Sequence, residues 1–238
     1  MKLFFVLLAL MSAGVISAQK TIIHDANVEV RSLSGSFSAI KVSGGVDVYL
    51  SPGDKEALAV SASDAQFRDK IRTEVQNGVL NISYDYEAHK LNSGSKRLKV
   101  YVSFVTLSRL DASGASDIRV EGAIKGDGLT LTLSGASDFK GVVEVKQLDV
   151  DQRGASDVTI SGKVGNLEIK ASGASDLKGF DLTTDVCSAK AYGASDIKIT
   201  VNKELQVEAS GASSVQYKGS AVITSTKTNG ASSVNKKG

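Results

Sequence analysis

Proline is almost missing from this 238-residue chain: Pro52 stands alone, tryptophan is absent, and Cys187 is the only cysteine. A single thiol excludes an internal disulfide framework, so stability has to come from burial and backbone hydrogen bonding. Only two histidines occur, His24 and His89. Neither has a metal-ligand spacing or an evident Ser or Cys partner, which sets zinc and triad chemistry aside. Net charge is close to zero at +2 and becomes +1 if residues 1–18 are removed, because Lys2 is the only charged residue among them. Near neutrality argues against nucleic acid as a partner. Glycine, by contrast, is abundant at 23 residues, set among alternating Val, Ile, Leu and Thr. That balance suggests many short strands joined by tight corners.

The chain opens MKLFFVLLALMSAGVISAQK, with Lys2 before an apolar run from Leu3 to Met11 and small residues up to Ser17 and Ala18. This pattern is expected to be a secretory signal peptide over residues 1–18, too short to span a membrane. No cysteine follows the run, so lipid-anchored export is not indicated, and no second long apolar segment follows. The mature protein is therefore expected to be soluble and exported, to the periplasm, cell surface or medium.

Gly-Ala-Ser recurs at Gly114, Gly135, Gly154, Gly173, Gly193, Gly211 and Gly230, at intervals of 21, 19, 19, 20, 18 and 19 residues. Counted from the glycine, position −6 reads Leu129, Leu148, Leu167, Cys187 and Leu205, and position −4 reads Leu110, Leu131, Val150, Ile169, Ala189 and Val207. Position +4 reads Ile118, Phe139, Val158, Leu177, Ile197, Val215 and Val234. Apolar residues two apart on either side of a fixed corner mark a strand with one buried face. A unit near 19 residues is too short for a strand, a helix and their loops, and it cannot bury its apolar face alone. Stacking solves both problems. The expected fold is all-β, a single-stranded right-handed parallel β-helix with coils of about 19 residues, six steps of which make a rod of roughly 29 Å. The seven glycines are its structural corner, where positive φ or a close backbone approach is required. Cys187, in a Leu position, is read as core.

Residues 19–238 are expected to form one domain, with irregular N-terminal coils over 26–107 and regular coils over 108–238. Gly44, Gly45, Val46, Asp47 and Val48 align with the later Gly-Ala-Ser-Asp-apolar units as a degenerate early coil. In SDAQFRDKIRTEVQNG, the spacing of Phe67, Ile71 and Val75, with Ser63 or Asp64 as N-cap and Gly78 as stop, predicts a short helix over 64–76. Strands are expected at Val79–Tyr86 and Leu98–Val105, separated by a polar loop over 87–96.

A chain carrying RSLSGSFSAIKVSGGVDVYL, a short helix, NGVLNISYD and then tandem Gly-Ala-Ser-Asp coils resembles the head GIN domain family of putative auto-transporter adhesins, common in Bacteroidetes. The resemblance covers roughly Arg31 to the C-terminus. It implies a single-stranded right-handed β-helix and a role in adhesion, and it supplies no catalytic residues. The chain departs from an auto-transporter in one respect: GASSVNKKG, from Gly230 on, is too short for an outer-membrane barrel.

Asp117, Asp138, Asp157, Asp176 and Asp196 occupy position +3, and Arg119, Lys140, Thr159, Lys178 and Lys198 occupy +5. Where +3 becomes Ser214 and Ser233, +5 becomes Gln216 and Asn235. Acid and base thus appear and disappear together in every coil but one. A calcium row along the aspartates is the competing reading. The alternating bases would repel it, so an ion-pair surface is preferred and no cofactor or metal is expected. Carboxylates about 4.8 Å apart in water repel by only ~0.9 kcal/mol, so a solvated row needs no cation. Asp157, beside Thr159 and Arg153, breaks the pattern and is the first place to look for a ligand.

β-Helices also carry polysaccharide lyases and hydrolases. Spacings of 18 to 21 leave no room for loops that would wall a cleft, and 13 aromatics, some in the leader, are few for a sugar platform. The serines of the repeat are seven copies of one residue and read as a structural hydroxyl ladder. The sequence therefore favours a non-enzymatic surface for an unknown glycan or an envelope or host-surface protein. The alternative is a scaffold that forms homo-oligomers through the ends or faces of the rod.

Overall fold

The structure, a computed structural model, describes residues 27–86 and 95–238. The expected leader at 1–18 and residues 87–94 of the expected polar loop lie outside the described residues. Strands β1 (Glu29–Arg31), β2 (Ala39–Val42), β3 (Asp47–Pro52) and β4 (Ala57–Ser61) precede one helix, α1 (Ala65–Arg68). Then come β5 (Ile71–Gln76), β6 (Val79–Tyr84), β7 (Lys99–Phe104) and β8 (Arg109–Ala112). Five long strands follow, β9 (Asp117–Leu133), β10 (Asp138–Gly154), β11 (Asp157–Gly173), β12 (Asp176–Ala191) and β13 (Asp196–Gly211). The chain closes with β14 (Ser214–Lys218), β15 (Val222–Gly230) and β16 (Ser233–Lys236). All belong to one sheet wound into a parallel β-solenoid, each long strand making nearly a whole coil.

The register follows the repeat. Leu129, Leu148, Leu167, Cys187 and Leu205 lie in one cross-strand column, and Ile118, Phe139, Val158, Leu177, Ile197 and Val215 in another. Both columns are buried, as are Leu131, Val150, Ile169, Ala189 and Val207 between them. Burying each large aliphatic side chain contributes about 1.5–3 kcal/mol, so the inward columns are the main source of stability. At each corner the alanine N–H donates to the glycine carbonyl one coil earlier, from Ala136 to Gly114 (2.7 Å) through Ala231 to Gly211 (2.8 Å). The glycines have φ between +72° and +89°. A Cβ on Gly154 would sit 2.5 Å from the Gly135 carbonyl oxygen, so the corner excludes any side chain on two grounds at once.

The early coil is where the sequence places it: Val48 pairs with Ile118, and β2 pairs with β8. The chain does not wind down the rod in order, however. β6 and β7 lie outside β2 and β3, so after β7 the chain passes the β2/β3 coil to enter β8 and β9. Antiparallel strands close this end, β4 on β7, β1 on β4, and β5 on β6.

The helix is shorter than the spacing predicts. Asp64 does cap it, its side chain accepting from the Gln66 N–H at 2.9 Å. After one turn the chain enters β5, which pairs antiparallel with β6 through Asn77 (φ +51°) and Gly78 (φ +75°). Asn-Gly with both residues at positive φ is the preferred tight hairpin turn, so Gly78 turns a hairpin where it was expected to stop a helix. Ile71, Thr73 and Val75 also alternate as strand residues, an ambiguity that a spacing of four leaves open. Among the described residues no helix is long and apolar enough to cross a membrane.

Candidate binding trough on the acid and base face

Positions +3 and +5 both face outward. Asp117, Asp138, Asp157, Asp176 and Asp196 form one cross-strand column, and Arg119, Lys140, Thr159, Lys178 and Lys198 the next. None of these ten residues is buried. The early coil extends both columns, because Tyr49 pairs with Arg119 and Asp47 precedes it by two residues. Tyr49 stacks on Tyr101 of the neighbouring rung with ring centroids 5.2 Å apart.

Stacked carboxylates disturb one another. Partial burial, then the charge of Asp117, holds Asp47 above the usual carboxylate range, with Arg119 and Lys99 acting the other way. Asp138 is raised by the same two causes, against a weak hydrogen bond from the Asp157 N–H at 3.4 Å. The bases relieve this unevenly. Lys178 lies 3.4 Å from Asp176 and 3.3 Å from Asp157, and these carboxylates push its ammonium pKa up. Arg119 is only loosely placed on Asp117, at 3.7 Å. Lys140 and Lys198 have no ion-pair partner among the described residues. Arg153 turns away to Asp151 at 2.6 Å and leaves Asp157 to Lys178. The alternating ion-pair surface expected from the sequence is therefore formed at Lys178, loose at Arg119, and open at Lys140 and Lys198.

The unequal coil lengths have a structural outlet. Between the pairs Arg119–Lys140 and Ala123–Val142, β9 spends four residue steps where β10 spends two. Between Thr159–Lys178 and Gly162–Leu182, β12 spends four where β11 spends three. Both surpluses fall at the corner after position +5. The short coils β10 and β11 thus lie between two fuller ones. The resulting depression of about 590 Å³ has Gly141, Val142, Ile160 and Ser161 across its floor, with Val120 at one side and Phe180 and Asp181 at the other. Val120 and Phe180 are three rungs apart, about 14 Å. Lys140, Lys178 and Lys198 stand along its rim.

A second depression of about 610 Å³ continues onto the flat face, lined by Tyr49, the aspartates from Asp117 to Asp157, Arg119 and Glu121. The two share Val120, Lys140 and Thr159. Thr159 is the one place in the basic column where a long side chain is missing, and it lies where the two depressions meet. The sequence singled out this break. It gave no sign of Tyr49, Gly141, Phe180 or Asp181, and the expectation that the coils have no spare residues to wall a cleft is corrected: three surplus residues at one corner suffice.

The repeated serines point inward. Ser116, Ser137, Ser156, Ser175, Ser195 and Ser213 are buried, and each hydroxyl donates to the carbonyl three residues earlier, at 2.9 Å from Ser195 to Tyr192 and 3.2 Å from Ser175 to Ser172. These hydroxyls tie the corner and are not presented to a substrate. Burial pushes the Cys187 thiol pKa up, so its sulfur is held neutral. Among the described residues no group of three or more His, Cys, Asp or Glu is arranged to hold a metal ion.

The same winding is found in solved proteins. A putative adhesin from Bacteroides fragilis NCTC 9343 superposes with a TM-score of 0.81 at 20% identity, over 90% of this chain and 98% of that one. A putative lipid binding protein from Parabacteroides distasonis ATCC 8503 gives 0.69 at 19% identity, over 90% and 98%. A putative adhesin from Parabacteroides merdae ATCC 43184 gives 0.63 at 16% identity, over 90% and 97%. At these identities the likeness is one of fold. No curated protein matches the chain. A family model matches residues 36–221, most of the solenoid, and the chain therefore belongs to the family described as putative auto-transporter adhesin, head GIN domain.

Proposed function

We propose that this protein is an exported, non-enzymatic adhesin that holds a glycan or protein ligand in the trough centred on Thr159. Membership of an adhesin family supports an adhesin-like role at or beyond the cell surface. The observation that carries the reading is the coincidence of two independent irregularities. The single gap in the basic column and the two lengthened corners converge on one depression. A face built only for solubility has no need of either.

The rival role, a rod that assembles end to end, is disfavoured by both ends. In the last coil the inward column changes from Val207 and Ala209 to Thr226 and Thr228, and the large apolar residues exposed on β15 are Val222 and Ile223 at its start. A terminal coil whose outer face is mostly polar is the device by which solenoids stay soluble. The other end is closed by antiparallel strands.

The test is binding of the purified protein to an array of glycans and matrix proteins, beside Thr159→Trp. Thr159 is exposed, so the indole fills the trough without entering the core. Saturable binding to one ligand class, lost in the variant, is the expected result. Absence of saturable binding, or equal binding by the variant, would overturn the reading.

A further inference from the structure

We infer that the ligand of this trough is an acidic polysaccharide, bound as a segment of a few sugar rings with a uronate-type carboxylate among Lys140, Lys178 and Lys198. The inference rests on the trough being the binding site and goes on to fix the chemistry of its occupant. Around the corner half, three ammonium groups face one carboxylate, Asp181. Two of the three, Lys140 and Lys198, have no ion-pair partner of their own among the described residues. Cations left unpaired around an apolar floor are matched by an anion carried on an apolar surface. Val142 on the floor, with Val120 and Phe180 at the two sides, offers such a surface to the C–H face of a sugar ring. Ile160 beneath is buried in the core, and the Lys218 ammonium lies 4.8 Å from the Phe180 ring centroid.

The flat half narrows the choice further. Asp117, Asp138 and Asp157 present carboxylate acceptors in a row, and Tyr49 supplies an aromatic face backed by Tyr101. Carboxylates accept from sugar hydroxyls, and an aromatic face receives the ring. An acyl chain would leave those carboxylates without donors, and a polyanion without neutral hydroxyls, such as polyphosphate, would meet them only as like charges. A chain whose hydroxyls outnumber its carboxylates suits both halves at once. Its reach agrees with the site: the corner half alone spans about 14 Å between Val120 and Phe180.

The experiment measures binding of the full protein to polygalacturonate and to hyaluronate. Methyl-esterified polygalacturonate serves as the uncharged twin of the first. Both acidic polymers are expected to bind saturably, and the ester is expected to lose about tenfold or more, the equivalent of one charge-assisted contact. Lys140→Ala with Lys198→Ala should weaken binding by a similar factor, while Lys203→Ala, whose partner Asp185 lies outside the trough, should leave it unchanged. Thr159→Lys is the decisive variant. It restores a long base to the column, as Lys140 and Lys178 show the fold accepts, and so adds positive charge while closing the gap.

Seating in the trough predicts weaker binding by Thr159→Lys, whereas adsorption to the general charge of the face predicts tighter binding and would overturn the inference. Equal binding of the ester, or no binding of either acidic polymer, would also overturn it. If Thr159→Lys and Thr159→Trp instead abolish binding of a protein or neutral glycan from the array, the trough stands as the site and the acidic-glycan inference falls. If nothing on the array binds, both fall.

Discussion

Replacing Gly154 by alanine should be among the most damaging single-methyl changes in the molecule, and the structure separates the causes. Its φ of +87° lies in the left-handed region, which costs a residue with a Cβ about 1–2 kcal/mol. The new Cβ would also lie 2.5 Å from the Gly135 oxygen and 3.1 Å from its nitrogen, where ordinary contact begins near 3.4 Å. The rungs must move apart by most of an ångström. That displaces the 2.8 Å hydrogen bond from Ala155 N–H to the Gly135 carbonyl, worth about another 1 kcal/mol. The expected loss is about 3 kcal/mol, a large share of the ~5–15 kcal/mol of a folded domain. Gly78→Ala is the control: φ is similar at +75°, but no atom lies within 4 Å of the added Cβ. It should lose only the conformational part, about 1–2 kcal/mol. Urea unfolding of both variants at unchanged slope measures the difference. If Gly154→Ala is no worse than Gly78→Ala, the close stacking of corner on corner is not what selects glycine in the repeat.

Other consequences follow from the columns. Asp138→Asn should stabilise the protein at neutral pH by up to about 1 kcal/mol per neighbouring carboxylate before salt screening. Because the native pKa of Asp138 is raised, its charged form is the penalised one. Wild-type stability therefore falls as pH rises from the unfolded carboxylate value through the native one, and the advantage of Asn should vanish near about pH 3 in thermal unfolding. Ser175→Ala removes the buried donor to the Ser172 carbonyl at 3.2 Å and should cost about 1 kcal/mol, whereas Ser175→Val should cost more by crowding the corner, both read from urea midpoints. Cys187, buried in the column of Leu167 and Leu205, should react with a chromogenic disulfide reagent only at the rate of unfolding.

The parts of the fold that repeat were legible because every coil reports on the same geometry. Columns read at −6, −4 and +4 became cross-strand neighbours without a slip, and even Cys187 lies between Leu167 and Leu205 as its position demands. The β5–β6 hairpin was obscured because Phe67, Ile71 and Val75 fit a helix as well as a helical turn followed by a strand. The Asn77-Gly78 dipeptide was the signal that distinguishes them. The interleaving of β6 and β7 outside β2 and β3 depends on packing between distant segments and leaves no local mark. At the candidate site, Thr159 was visible as a break in a column, while the trough around it was not. Intervals of 21 and 20 instead of 19 state that residues are surplus but not where in the coil they are placed. Aligning the residues after each +5 position, rather than the corners alone, would have located the surplus at Val120–Ala123 and Gly179–Leu182.

Deletion of Glu121 and Gly122 tests directly whether the lengthened β9 coil builds one side of the proposed trough. The deletion reduces the coil to the register of β10, bringing Val120 and Ala123 opposite Gly141 and Val142. Affinity for the array ligand that saturates the wild-type protein is measured alongside the far-ultraviolet circular dichroism of the variant. An unchanged β spectrum with saturable binding lost is the expected result. Full affinity in a folded variant would place binding elsewhere on the solenoid and contradict it.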